Sequence, residues 1–453
     1  MEVENQNSEM TGPTRYTSRR KFSVNIVLTL GTRLLMLASA LAGSVIVARL
    51  LGAEGVGSLA VISVTVALAV QLGCLGLPSA NTYFISQDRR NLPSVWSNGL
   101  LFGLIGGTVI AAGIIVLTRL RPTLLGHISV SLITVAAFSI PFQLITLLGL
   151  NVFLGTGQID RFNLMDAVAQ LLLLLNAIVA LALLGIGLYG LVSLNTAVAV
   201  IVSVTILVMV SRTVQRMGKK VVKPDAQMFR RTIRYGIKSH IAAIAAMLIL
   251  RGDLLIVDHF RGPKEAGVYA VATQMGSLLL LLPAIIATLL FPRVASEPDS
   301  QGGLTMKATR HTAFIMFFAC LAAVPLSFAL PLVYGAAFRD STIQLLILLP
   351  GIYLVGIESV MVQHFSGLGF PVAIPTFWII ALACNLTLNL ILIPFFGGTG
   401  AAAVSTFTYA LIFALVALYF RLKTGNRLTL ALLLSRDEFR DLMVPIRFGF
   451  FSR

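Results

Sequence analysis

The sequence predicts an all-α membrane protein of twelve transmembrane helices, arranged as two parallel six-helix repeats with both termini in the cytoplasm. Hydropathy, the placement of basic residues and an internal repeat carry that prediction. Of 453 residues, 57% are hydrophobic and 11% charged, with a mean hydropathy of +0.91, far from the composition of soluble domains. A helix crossing the hydrocarbon needs about 20 mainly apolar residues. Such runs fall at 24–48, 58–84, 96–118, 128–154, 164–185, 188–210, 238–259, 268–291, 311–333, 342–365, 372–394 and 400–420, separated by short polar or Gly/Pro-containing breaks. The weakly alternating segments of an outer-membrane barrel are not seen.

With the termini inside, 26 of the 34 basic residues fall on cytoplasmic segments and six on outer loops. The net charge of +16 is thus a topology signal rather than a nucleic-acid footprint. The order is a cytoplasmic tail (1–23), a first lobe (24–210), a basic linker (211–237) suited to anionic lipid headgroups, a second lobe (238–420) and a tail (421–453). In that tail Leu428 to Leu434 is too short to span and reads as a surface amphipathic helix. The polar N-terminal tail and long first span do not fit a cleaved signal, whose apolar core is about 7–15 residues. Cys74, Cys320 and Cys384 each fall within a span and form neither a disulfide framework nor a zinc site.

The repeat shows when IVARLLGAEGVGSLAV (46–61) is written above IVDHFRGPKEAGVYAV (256–271), an offset of 210. GLYG (187–190) and GGTG (397–400) share that offset, and FLGTG (153–157) and FSGLG (365–369) lie 212 apart. Six spans per half is an even number, so both halves enter from the same side. Such parallel repeats suit transport in which one half rocks against the other around a central cavity.

ARLLGAEGVGSLAV (48–61), RGDLLIVDHF with AGVYAVATQ (251–274) and LLLLLPAIIATLLFPRVAS (278–296) resemble the polysaccharide branch of the multidrug/oligosaccharidyl-lipid/polysaccharide flippase superfamily, the Wzx-type translocases. The similarity runs from Arg33 to about Phe420, carried by the order and spacing of loose motifs. The resemblance implies a V-shaped bundle in the cytoplasmic (inner) membrane that moves a polyprenyl-diphosphate-linked oligosaccharide to the outer leaflet. It also implies a polysaccharide polymerase and glycosyltransferases as pathway partners. The further pair of spans that some members carry is missing from 425–453. The competing reading is a small-molecule or drug antiporter, of the same superfamily or of the major facilitator class. The facilitator signature expects Gly four residues before an Asp-Arg pair, and Asp88-Arg89 has Phe84 there.

Charges inside spans are costly and mark function or pairing, at about 2.5–3.5 kcal/mol each on insertion scales. Arg33 and Arg251 lie at similar depth in opposite halves. As substrate-binding residues they would form a cationic floor for a diphosphate, since Arg keeps its charge and offers a fork of donors. The competing reading makes either of them a salt bridge to Asp253 or Glu358. Asp253 points about 160° from Arg251 on a helix, so it is expected to tie its helix to a neighbour, while Asp258 and His259 are expected to reach outer water. Asn385 and Asn389 are one turn apart and suited to carbohydrate hydroxyls. Glu358 is the candidate for coupling to a proton or sodium gradient, or else a packing carboxyl. Gln71, Gln143, Gln170 and Gln274 read as interhelical hydrogen-bond residues, and His240 and His311 as interfacial. No cofactor, metal site or enzyme is expected. The sequence has no Walker loop, H-E-x-x-H or G-x-S-x-G, and G-I-G-L-Y-G (185–190) is a turn between spans.

Overall fold

The computed structural model describes residues 16–121, 126–216, 223–296, 301–368 and 371–426. The expected amphipathic helix at 428–434 lies outside them, as do residues 1–15 of the N-terminal tail and 217–222 of the linker. Every regular element among the described residues is helical. In chain order the first half holds α1 (Tyr16–Gly73), α2 (Leu77–Gln87), α3 (Leu92–Leu120), α4 (Val130–Ala137), α5 (Ile140–Gly155), α6 (Ile159–Ala177) and α7 (Gly187–Gln215). The second holds α8 (Ala226–Arg251), α9 (Asp253–Arg261), α10 (Pro263–Leu279), α11 (Leu281–Ser296), α12 (Gly303–Ser327), α13 (Leu330–Tyr334), α14 (Arg339–Gly367) and α15 (Ala373–Thr424).

Ten of the described helical stretches are long and apolar enough to cross a membrane, against the twelve expected. The difference lies in two places. Gly31–Gly73 and Ala373–Thr424 are each one stretch, of 43 and 52 residues, where hydropathy marks two spans. A single glycine bends each: Gly52 at φ 67, ψ −174 and Gly397 at φ 56, ψ −137. Hydropathy registers the polar residues of a break, whereas one residue with positive φ turns the chain while helix continues on both sides. Elsewhere a single expected span is split into two helices, as at Phe138–Ser139 between α4 and α5 and at Leu280 between α10 and α11.

In lipid a kink must not leave backbone groups unpaired. At Gly397 the freed N–H of Gly398 donates to Glu265 Oε1 at 2.8 Å, and Glu265 also pairs with Arg261 at 3.1 Å. Glu265 thereby caps the second arm of α15. Glu265→Ala is expected to lower stability by about 1 kcal/mol, the usual worth of a cap. Glu265→Gln, which keeps the acceptor, should retain most of it; thermal unfolding of the purified protein compares the two.

The repeat seen in the sequence has a backbone counterpart. Gly262 stands 210 residues after Gly52 and has nearly the same torsions, φ 84 and ψ 172. Gly57 and Gly267, again 210 apart, face each other where α1 crosses α10. A Cβ on Gly57 would overlap the carbonyl oxygen of Pro263 and lie 2.7 Å from Gly267 N. One on Gly267 would overlap the carbonyl oxygen of Ala53 and lie 2.8 Å from Gly57 N. Ala53 and Pro263 are themselves 210 apart, so the contact maps onto itself when the halves are exchanged.

Around that crossing, Arg49 Nε donates to the Val333 carbonyl at 2.8 Å and its Nη2 to that of Leu332, so the residue grips the end of α13. Ser44 Oγ meets Tyr334 Oη at 2.9 Å. At the opposite end of the bundle, where the linker runs, α8 leans on α2. The Tyr83 and Tyr235 rings stack at 4.3 Å, and Gly76 and Gly236 bring their backbones together. The linker is helical from Ala226, with Asp225 as N-cap accepting from Met228 N at 3.0 Å. Asn98 of α3 fixes that start twice, donating to the Asp225 carbonyl and accepting from its N–H, both at 2.8 Å.

Candidate functional site

Two neighbouring cavities open inside the first half. One, of about 340 Å³, lies among α1, α4, α5, α6 and α7, and its polar walls are Ser63, Ser139, Gln143, Thr146, Asn195 and Thr196. The other, of about 260 Å³, reaches across to α10 of the second half, with polar walls Ser39, Ser44, Ser63, Gln170, Asn195 and Gln274. They share Leu59, Ser63, Leu173 and Asn195. The remaining wall is apolar, and among the described residues no charged side chain lines either cavity.

The amides are held by light tethers. Gln143 Nε2 donates to Ser139 Oγ at 2.9 Å and Asn176 Nδ2 to Asn195 Oδ1 at 3.4 Å. Thr146 Oγ1 is buried without a partner among the described residues. An amide presents a carbonyl acceptor and two N–H donors, and a sugar hydroxyl both donates and accepts. A wall of this composition can therefore hold a neutral hydroxylated ligand without burying charge. Expected as interhelical hydrogen-bond residues, Gln143, Gln170 and Gln274 instead border the openings. A cavity ligand and a neighbouring helix both meet an amide's need for hydrogen bonds, so the sequence carries no signal that separates the two.

The structure distributes the sequence-predicted residues differently from the expected floor. Arg33 pairs with Asp166 of α6 at 3.1 Å and lies 6.0 Å from the Phe162 ring. Neither Asp253 nor Glu358 is its partner. Asp166 escaped the sequence reading, although an acid inside the span 164–185 is the same kind of signal as Arg33. Arg251 is exposed at the end of α8, and Asp253 and Tyr409 feel its charge. No ion pair joins it to Asp253 or Glu358 among the described residues.

Asp253, 2% exposed, ties three helices together. Its Oδ2 accepts from Tyr269 Oη of α10 and from Ser405 Oγ of α15 at 2.9 Å, and its Oδ1 from Leu254 N at 2.8 Å. Asn385 and Asn389 are fully buried rather than turned toward a cavity. Asn389 Nδ2 donates to Asn385 Oδ1 at 3.0 Å, and Asn385 Nδ2 to Thr408 Oγ1 at 3.1 Å, so the pair stitches the two arms of α15. Glu358 is 2% exposed, beside Trp378, with Oε1 lacking a partner among the described residues.

Asp258 corrects the expectation of outer water. It is 0% exposed, covered by residues 126–127, and the His127 N–H donates to its Oδ2 at 3.3 Å. Depth along a helix does not foretell which loop folds over its end. His259 is exposed, as expected, whereas His240 is buried against Cys74 and the Leu72 carbonyl.

Comparison with known proteins agrees with this architecture. A probable low-salt glycan biosynthesis flippase, Agl15 of Haloferax volcanii, is 24% identical over 207 residues, 44% of this chain and 43% of that protein. A probable flippase of the same organism, AglR, is 28% identical over 169 residues, 35% of each chain. The chain thus aligns with less than half the length of these curated relatives. Among solved structures, the lipid II flippase MurJ in an inward closed conformation superposes with a TM-score of 0.72 at 15% identity, over 95% of this chain and 94% of that one. An inward-facing MATE family multidrug transporter of the MOP superfamily gives 0.69 at 14% identity, over 88% and 98%. These likenesses establish the fold. The sequence pattern of the family described as polysaccharide biosynthesis protein matches residues 18–296, well over half of the chain, and the protein is therefore a multi-pass membrane member of the polysaccharide biosynthesis protein family.

Proposed function

We propose that the chain is a flippase that moves a polyprenyl-diphosphate-linked oligosaccharide across the cytoplasmic membrane by alternating access. The observation that carries this reading is the pair of cavities walled by neutral amides and hydroxyls. A drug antiporter that carries organic cations would need an acidic wall, and these cavities have none among the described residues.

The ten candidate helices, with α1 and α15 each bent once, make twelve crossings of two parallel repeats related by an axis along the membrane normal. Both termini are cytoplasmic, which puts the linker end of the bundle inside and the Gly57–Gly267 crossing toward the outside. The linker's basic residues meet anionic headgroups. Glu358, buried with an oxygen that has no partner among the described residues, takes up a proton or cation that couples transport to a gradient. A polymerase and glycosyltransferases supply and consume the glycan.

The test is reconstitution in proteoliposomes with a fluorescent polyprenyl-diphosphate oligosaccharide. Gln170→Leu and Asn195→Leu should each slow its flipping at least about tenfold, since each removes hydrogen bonds that a desolvated sugar cannot replace. Efflux of ethidium should be absent. Unchanged flipping in both variants, or ethidium transport by the wild type, would remove the reading.

A further inference from the structure

Arg33 Nη1 and Asp166 Oδ2 stand 3.1 Å apart, and a guanidinium offers five donors in a fork that suits a diphosphate as well as a carboxylate. The pair is also open to solvent, with 45% of the Arg33 side chain and 27% of the Asp166 side chain exposed. A salt bridge built only to hold α1 against α6 would be expected to close both partners in.

Its position points the same way. Arg33 precedes Ala40 by seven residues on α1, and Asp166 precedes Leu173 by seven on α6; Ala40 and Leu173 both wall the second cavity. Seven residues are two helical turns and return to within about 20° of the same face. The pair therefore continues the two stripes that wall the cavity, about 10 Å nearer the linker end of the bundle. Among the described residues the cavity wall is neutral, and the Arg33 cation that continues its stripes is paired with a carboxylate.

We infer that Asp166 is an internal stand-in for the anionic group of the ligand. In the empty protein it holds the Arg33 guanidinium in place and neutralises it. A diphosphate entering the groove displaces it, because a diphosphate carries more charge and engages the fork at two points. The released Asp166 carboxylate then faces the diphosphate at close range. That repulsion keeps binding weak enough for release, so Asp166 sets affinity against turnover. The inference rests on the proposed flippase reading for the identity of the anion.

The experiment uses the full chain in nanodiscs of neutral phosphatidylcholine, titrated with farnesyl diphosphate, farnesol and inorganic pyrophosphate. Asp166→Asn, nearly the same in shape, should bind farnesyl diphosphate about tenfold more tightly than the wild type and flip the lipid-linked oligosaccharide more slowly. Arg33→Gln should lose diphosphate binding, and farnesol affinity should be equal in all three, which also reports that each variant is folded. Equal or weaker diphosphate binding by Asp166→Asn overturns the inference and marks the pair as structural. Inorganic pyrophosphate binding as tightly as farnesyl diphosphate overturns the assignment to a lipid-borne anion. Unaltered affinity in Asp166→Asn alongside flipping that fails in Gln170→Leu sinks this inference and leaves the flippase standing. The converse pattern, tighter binding with no flipping by the wild type, sinks the flippase and leaves the anion site.

Discussion

Gly57→Ala should cost the protein far more than one methyl group ordinarily does, and Gly267→Ala should cost the same. In both cases the added carbon overlaps a main-chain carbonyl of the opposite half and comes within 2.8 Å of a main-chain nitrogen. Flexible side chains can yield to an intruding methyl, but here the obstacle is the backbone of a packed helix. Relief therefore requires α1 and α10 to separate along their whole crossing. Overpacking of a core costs about 1–3 kcal/mol, occasionally more, and the absence of any movable neighbour puts these two at the upper end. Against a total stability of about 5–15 kcal/mol, that is a loss visible as a fall of many degrees in unfolding temperature. Gly31→Ala and Gly113→Ala are the controls, since a Cβ there meets nothing within 4 Å. Thermal unfolding in detergent reads the series. Melting of Gly57→Ala and Gly267→Ala beside the controls would mean that the crossing is not a tight contact. Because the two glycines share one contact, the double variant should fall short of the sum of the singles.

Asp253→Ala is expected to be nearly as damaging. The carboxylate accepts from Tyr269, Ser405 and the Leu254 N–H, and its removal leaves two fully buried hydroxyls with only their long 3.4 Å contact to each other. Each orphaned buried donor costs about 1–3 kcal/mol, with membrane interiors toward the low end. A total of about 2–4 kcal/mol follows. Asp253→Asn keeps an acceptor and offers donors to the same oxygens, so it should lose about 1 kcal/mol or less. Adding Tyr269→Phe to Asp253→Ala should recover part of the loss, because it deletes one orphan. A double-mutant cycle measured by thermal unfolding checks all of this, and an Asp253→Ala protein as stable as Asp253→Asn would show that the tie carries little.

The helices were legible in the sequence because about 20 apolar residues in a row have few alternatives to crossing a membrane. The repeat was legible too, and its spacing of 210 reappears in the matched torsions of Gly52 and Gly262. The bends at Gly52 and Gly397 were not, because hydropathy measures transfer into lipid while a bend is a torsional choice at one residue. The candidate site was read less well. Arg33 is legible from its cost of burial, and its partner Asp166 carries the same signal inside the span 164–185. A neutral amide offsets its burial cost by hydrogen bonding in either setting, so nothing in the sequence set Gln170 at a cavity apart from Asn385, which is sealed within α15. Asp258 failed for a different reason, since the segment that covers it lies 131 positions away in the chain.

The two hydrogen bonds between Asn98 and Asp225 fix where the first half lets go of the chain. From there the route into the second half is helix, not slack coil. The ten steps from Ala226 to Gly236 reach about 15 Å as helix and about 35 Å when extended. The two halves are therefore on a short rigid leash at the linker end. The close approach of the Gly76 and Gly236 backbones then pins that helix to the first half a second time, ten residues further on.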